Sequence, residues 1–490
     1  MIALYCTLFI PAFGVVLMAL IGKKHQAQAG VINIILSAAT LISAIFLAIS
    51  FLHTSPIISK HKQFYVDAFN LLLIILTALI ATTTAIFSNK HMWCNIIINR
   101  ISKNHLYLYH VMYQMFTLMI LVTLTTNNLG ILWVAMEGAT LTTVLLVSLY
   151  RTPQAIEAAW KYFILCMVGI ALALFGTILL YSSASQLFAT NNSAILWTVL
   201  YKNAGVLDAS IIKLAFAFLL IGYGAKIGLV PLHNWLPDAY SESPAPISAL
   251  LSGLLSTAAL YALIRFKIIV DLALNSHLSG YLMMGFGLLS FLVAAILMQH
   301  QKNIKRMFSY SSIEHMGLMT FAFGLGGMLA TFSAILYMLM HALVKSAIFI
   351  TIGNIMQFNP IRSNKISGLI CNQPIIGWSL LLATLIICGF PPSGIFTSEL
   401  LLFMATIKSY PWLALLLLLG LVIAFAGLLR NIHPIIYAND QSLVQPVHEE
   451  NKIGISSLII HLALVIILGI YMPPILMRLL KQAVVVVIGT

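Results

Sequence analysis

Apolar runs recur along this chain from one end to the other, each of about 20 residues, enough to cross a hydrocarbon core of about 30 Å as a helix. They fall near residues 2–22, 30–52, 66–88, 107–126, 129–150, 158–183, 210–230, 247–264, 279–299, 308–326, 328–356, 375–407, 410–429 and 454–473. Backbone amides inside a bilayer must be paired within the protein, which leaves helices or closed barrels, and barrel strands would alternate in polarity over segments of about 10 residues. That alternation is absent. The expected fold is an all-α integral membrane protein of about 14 transmembrane helices. Composition agrees: 61% of the 490 residues are hydrophobic and 8% are charged, with a mean hydropathy of +1.03, outside the range of soluble domains.

The first run has no charged leader and no small-x-small cleavage pattern before Lys23 and Lys24, so it is expected to stay as a helix in the bilayer. Cys6, Cys94, Cys166, Cys371 and Cys388 show no CxxC spacing, and no phosphate loop, dinucleotide fingerprint, HExxH or nucleophile elbow is present. Neither cofactor, metal nor catalytic site is expected in this chain. A net charge of +13 would suggest nucleic acid in a soluble protein, but here the basic residues report orientation. With the N-terminus outside, thirteen loop lysines and arginines fall inside, among them Lys23, Lys24, Lys305, Arg306, Arg362 and Lys365, against eight outside, among them Arg265 and Lys267. The bias predicts both termini outside. Lys161 and Lys213 lie near span ends, where long side chains snorkel to the headgroups.

Ionisable residues at bilayer depth are costly, so they are normally buried in protein, partnered or wetted, and often functional. Glu137 sits in ILWVAMEGATLTTVLL, followed by Gly138, Thr140, Thr142 and Thr143. Lys226 sits in LIGYGAKIGLVP among Gly222, Gly224 and Gly228, with Pro231 just beyond. The glycines and the proline predict an interrupted helix whose freed carbonyls face a wet cavity, with a snorkelling helix-end lysine as the plainer alternative. Lys345 follows His341 by four residues, which puts both on one helix face, and such a pair can hand on a proton. Ser311, Ser312 and His315 make a second polar stripe, and Glu399 follows the Pro391–Pro392 break and Gly394.

Lys226 and Glu399 each stand beside a proline break, in the seventh and twelfth spans, and an odd shift of five spans reverses the direction of crossing. That is the pattern of two inverted five-helix repeats with broken helices 7 and 12. The units are residues 107–273 and 274–429, preceded by three helices in 1–106 and followed by a loop and the last helix in 430–490. Past Lys226, His233, Asp238 and Glu242 either gather protons at an inner mouth or form a plain solvated loop.

Taken with Glu137 and Lys226, the stretches LYHVMYQMFTLMILVTLTTNNLGILWVAMEGATLTTVLLVSLYRTPQAIEAAWKYFILC, VPLHNWLPDAYSESPAPISALLSGLL, IKRMFSYSSIEHMG and HALVK carry a resemblance. Over roughly residues 60–430 the chain resembles the antiporter-like membrane subunits of complex I, Mrp antiporters and group 4 hydrogenases, most nearly component F of hydrogenase-4. The resemblance implies proton transfer through a pair matching Glu137 and Lys226 and a twelfth-helix position matching Glu399; the central relay runs through water, through His315 or through Lys345, and on the residues' own chemistry the proton passes toward His341, Lys345 and Glu399. The resemblance implies other membrane and soluble subunits as partners, redox chemistry housed in them, and a bacterial inner membrane. It also implies a lysine or histidine in the eighth helix, where this sequence has Ser256, so that a scaffold with a vestigial channel stays open. The long lateral helix of the largest relatives is not expected beyond the last span. Alternatives are an Mrp-like Na⁺(K⁺)/H⁺ antiporter subunit and a membrane subunit that energises inorganic-carbon uptake with a zinc-bearing partner.

Overall fold

The computed structural model describes residues 1–21, 26–185, 194–358, 367–437 and 452–489, which are helical nearly throughout. The first seven helices are α1 Ile2–Ile21, α2 Gln26–His53, α3 Ala68–Ile97, α4 Lys103–Thr125, α5 Leu129–Val147, α6 Pro153–Ser185 and the short α7 Trp197–Lys202. Next come α8 Ala209–Ile227, α9 Trp235–Glu242, and α10 Ala245–Leu250, which runs through a π-helical turn at Leu251–Leu255 into α11 Ser256–Leu274. Then follow α12 Leu278–Met298, α13 Ile304–Leu325, α14 Gly327–Phe358, α15 Leu369–Asn372, α16 Pro374–Ile387, α17 Gly394–Ser409, α18 Pro411–Tyr437, α19 Lys452–Ile470 and α20 Pro474–Ile488. Among the described residues eleven helices, counting Ala245–Leu274 as one, are long and apolar enough to cross a membrane. The pair α19–α20, bent by 81°, makes up to twelve. The chain is a multi-pass membrane protein.

Local chemistry sets the helix starts. Asp67, Ser102, Asn128, Asp208, Asn303 and Ser393 each accept backbone N–H groups of the first turn that the helix itself leaves unpaired. Between helices, small residues permit close approach where lipid supplies no hydrophobic drive. A methyl on Gly222 would meet the backbone of Ala173 on α6, and one on Gly317 would meet the Gly287 carbonyl of α12. Burial then sorts the bundle: the apolar cores of the span 245–274 and of α14 are enclosed, whereas α1, α2 and α18 turn residues such as Phe9, Phe46 and Leu415 outward. His341 and Lys345 lie in that enclosed part of α14.

Several expectations need correction. Arg265 and Lys267 were assigned to an outer loop and Lys305 to an inner one, yet all three are buried inside α11 and α13. Arg265 pairs with Asp67 at 2.7 Å beneath the Trp197 ring, and Lys267 pairs with Asp271. Lys305 donates to the carbonyls of Ser241 and Ser243 at 3.3 and 2.7 Å, closing the C-terminal end of α9. Periodic apolar runs locate helix centres, but a satisfied cation can extend a helix past the point where its run stops. The eighth span accordingly continues to Leu274, beyond the expected 264. Lys23, Lys24, Arg362 and Lys365 lie outside the described residues.

The expected last span, 454–473, is followed by a further helix. Beyond Pro473 and Pro474 the chain turns, and α20 lays Leu479, Leu480, Ala483, Val484 and Val487 against the bundle at α3 and α14 while Arg478 and Lys481 face out. Its apolar positions recur at three- and four-residue spacing, broken by two cations, so it has no continuous apolar run.

Candidate proton path

The first half of the site joins α5 and α8. Lys226 is the penultimate residue of α8, because Gly228 caps the helix at φ 91°, a left-handed conformation that glycine adopts without strain. The Lys226 ammonium is fully enclosed, donates to the Met136 carbonyl at 2.7 Å and stands 3.5 Å from Glu137 Oε2. Neither carboxylate oxygen of Glu137 has a hydrogen-bond partner among the described residues. The pair is therefore loosely held, ionic across one contact, and open to change.

The break beyond Lys226 is real, but its carbonyls are not simply left to a wet cavity. The Ala225 carbonyl accepts the Trp235 indole N–H at 2.8 Å, and the Val230 N–H donates to Ser290 on α12 at 2.9 Å. Trp235 stacks on Tyr162 at 4.6 Å, and Tyr162 bonds Thr143, one face away from Glu137 on α5. An aromatic side chain thus does part of the work that water was expected to do.

The second half joins α13, α14 and α17. Lys345 donates to the Phe308 carbonyl at 3.0 Å. Four residues earlier on α14, His341 lies with its ring 5.7 Å from that of His315, and neither His341 nitrogen has a partner among the described residues. His315 Nδ1 is 2.6 Å from the Tyr337 hydroxyl, which donates to Glu399 Oε1 at 2.8 Å. Gly389, at φ 72° in the break between α16 and α17, leaves the room that the Glu399 carboxylate occupies. Histidine, tyrosine and carboxylate form one continuous chain.

Ser256 stands where the resemblance implied a lysine or histidine. Its hydroxyl lies 3.1 Å from that of Tyr240, and one π-helical turn earlier Ser252 lies 2.9 Å from Ser312. Ser312 donates to the Phe308 carbonyl, the same oxygen that takes Lys345. The place of the expected ionisable residue is held by a serine hydroxyl paired with Tyr240, and the neighbouring Ser252–Ser312 pair ends on the carbonyl that Lys345 also bonds. π-helical turns cluster at functional sites.

The three residues after the break have separate environments. His233 is buried at the edge of the Tyr310 ring with Nδ1 unpartnered among the described residues. Asp238 is held by Arg306 at 2.8 Å and Lys161 at 3.3 Å, so it is neutralised rather than free. Glu242 lines a cavity of about 170 Å³ together with His91, Arg100, Tyr150 and Lys305. No group of three or more histidine, cysteine, aspartate or glutamate side chains suited to a metal occurs among the described residues.

Sequence reading missed Glu314, Tyr337 and the Asp67–Arg265 pair, all buried. Glu314 stands in the SSIEH stretch three residues after Ser311, a spacing that puts the two side by side on the helix, and this was its available signal. Tyr337 offered the one available signal of lying four residues before His341 on the same face.

An enclosed line of lysine, histidine, tyrosine and carboxylate groups inside a multi-pass helical bundle defines an antiporter-like membrane protein. The model of the family described as NADH:quinone oxidoreductase/Mrp antiporter, transmembrane, matches residues 126–424. The chain is 45% identical over 414 residues to the hydrogenase-4 component F homolog of Methylacidiphilum infernorum (isolate V4), covering 84% of this chain and 86% of that one. Its fold matches a chain of the membrane-bound sulfane sulfur reductase, an archaeal respiratory membrane complex, with TM-score 0.88 at 22% identity over 99% of this chain and 97% of that one. It also matches a chain of the Mrp complex from Dietzia sp. DQ12-45-1b with TM-score 0.85 at 17% identity, over 100% of this chain and 98% of that one. The chain belongs to the NADH:quinone oxidoreductase/Mrp antiporter membrane family and is one of its antiporter-like subunits.

Proposed function

We propose that this chain is a proton-translocating subunit of a larger complex and moves H⁺ through Glu137, Lys226, His315, His341, Lys345 and Glu399, driven by redox chemistry in partner subunits. The observation that carries this is the buried Lys226–Glu137 contact at 3.5 Å, backed by the His315–Tyr337–Glu399 hydrogen-bonded chain. At an effective dielectric near 20, a charge pair about 4 Å apart interacts by about 4 kcal/mol. Opening or closing a pair of that strength changes a proton affinity by about a thousandfold. A partner that perturbs Glu137 loads or unloads Lys226, and the proton moves by way of the hydroxyls toward Lys345, His341 and Glu399.

The 45% identity to a hydrogenase-4 component F homolog supports coupling to an electron-transferring complex over free-standing exchange. In this scheme the units 107–273 and 274–429 are inverted repeats, the chain lies in a bacterial inner membrane with both termini outside, and Glu242 and His233 collect protons at the inner mouth. Asp238 contributes there through its charge pairs. Lys226→Ala in vesicles carrying the intact complex is expected to abolish coupled proton uptake while electron transfer by the partners persists. Unchanged uptake would sink the assignment, and uptake that requires Na⁺ would favour an Mrp-like exchange.

A further inference from the structure

The second half of the site holds one more carboxylate than its lysine can match. Among the described residues Lys345 is its one lysine, whereas it holds two carboxylates, Glu314 at 1% exposure and the half-buried Glu399. His315 and His341 face them as well, and each adds a positive charge only by taking up a proton, while the Tyr337 hydroxyl donates to Glu399. By contrast, Glu137 and Lys226 in the first half cancel. A largely buried site with two carboxylates and one ammonium carries an uncompensated charge, which burial disfavours, and one bound proton, on a carboxylate or on a histidine, removes it.

Hydrogen-bond direction indicates where that proton rests. Tyr337 has a single O–H, and it donates to Glu399 Oε1. His315 Nδ1, 2.6 Å from the same hydroxyl oxygen, must then be the donor, which leaves a lone pair on Nε2 when the ring is neutral. His315 Nε2 looks toward Glu314 Oε2 across 3.8 Å, and both atoms are enclosed without a hydrogen-bond partner among the described residues. Two acceptors facing one another in a dry pocket are unfavourable until a proton lies on one of them.

We propose that Glu314 and His315 together hold one exchangeable proton and form the loading site of the second half, a role that rests on the proton-translocating reading given above. Transfer from Glu314 to His315 Nε2 pushes the Nδ1 proton onto the Tyr337 oxygen as the Tyr337 proton moves to Glu399 Oε1. Glu314 ends ionised and Glu399 protonated, so charge is conserved. His315 ends as its Nε2–H tautomer and must reorient before the next proton, which makes each transfer discrete.

The test uses the purified complex containing the full chain, comparing Glu314→Gln with Lys226→Ala for proton uptake in vesicles and by infrared difference spectroscopy. Glu314→Gln is expected to slow uptake at least about tenfold and to remove a protonated-carboxyl band that Glu399→Gln retains. Wild-type uptake and an unchanged spectrum in Glu314→Gln, with uptake lost in Lys226→Ala, would overturn the loading site and leave the general function standing. Uptake retained in Lys226→Ala defeats the function itself. If Glu314→Gln does not assemble, Glu314→Asp decides: a shifted carboxyl band supports the proposal and an unshifted one refutes it.

Discussion

At the scale of single residues, the informative contrast is between charges that are tied and charges that are not. Arg265 is tied, bonded to Asp67 at 2.7 Å and to the Tyr261 hydroxyl at 2.9 Å under an aromatic roof, an arrangement suited to holding α3 to α11. Glu137 and His341 are enclosed but unbonded among the described residues, and groups in that condition are free to change partner or protonation state. Tyr337 is the one hydroxyl joining His315 to Glu399. Tyr337→Phe keeps the ring packing and removes that link, so proton uptake in vesicles is expected to fall by about 10²-fold, with an unfolding midpoint lowered by the loss of about 1–3 kcal/mol that stranding its partners costs. A variant with normal uptake would show that Glu399 receives protons by another route.

At the scale of elements, both breaks place a polar side chain beside irregular backbone, yet they are built differently. Gly228 ends α8 one residue past the Lys226–Ile227 pair, and an indole then covers the exposed carbonyl of Ala225. Trp235→Phe retains the stack on Tyr162 and strands that carbonyl, at a cost of about 1–3 kcal/mol, measurable as a lowered unfolding midpoint in detergent. No change would mean that another donor reaches Ala225. In the second break the glycine serves space instead, because any side chain at Gly389 would enter the volume of the Glu399 carboxylate. Prolines and glycines announce both breaks in the sequence, but which partner satisfies each one is settled by how the chain folds back, Trp235 onto Ala225 and Ser290 of α12 onto Val230.

At the scale of the whole molecule, the two halves meet where α10–α11 cross α13 and α14. Gly253 in the π-helical turn packs against Ser346 and the Ala342 carbonyl, so α14 lies against this turn between His341 and Lys345. A hydroxyl pair, Ser252 with Ser312, bridges the crossing. Hydroxyls conduct without storing charge, so residence of the proton belongs to the ionisable groups on either side. Ser252→Ala is expected to slow proton uptake about tenfold, the equivalent of one hydrogen bond of about 1.4 kcal/mol, without altering the redox activity of partner subunits. Uptake at the wild-type rate would place the crossing elsewhere.

Sequence alone determined that the chain is a helical membrane protein, where most helices lie, and that Glu137, Lys226, His341, Lys345 and Glu399 are anomalous enough to matter. These follow from local physics, since bilayer thickness sets run length and desolvation makes each buried charge conspicuous. Only the tertiary structure decided which charges are structural: Arg265 and Lys305 read as loop residues in the sequence, yet a distant carboxylate and distant carbonyls satisfy them inside the bundle, and Lys267 pairs with Asp271 one turn along its own helix. It also decided that Tyr337 connects His315 to Glu399, that Glu314 faces His315, and that the Ser256 hydroxyl pairs with that of Tyr240. Partners separated by tens or hundreds of residues leave no periodic trace, and packing alone brings them within hydrogen-bonding distance.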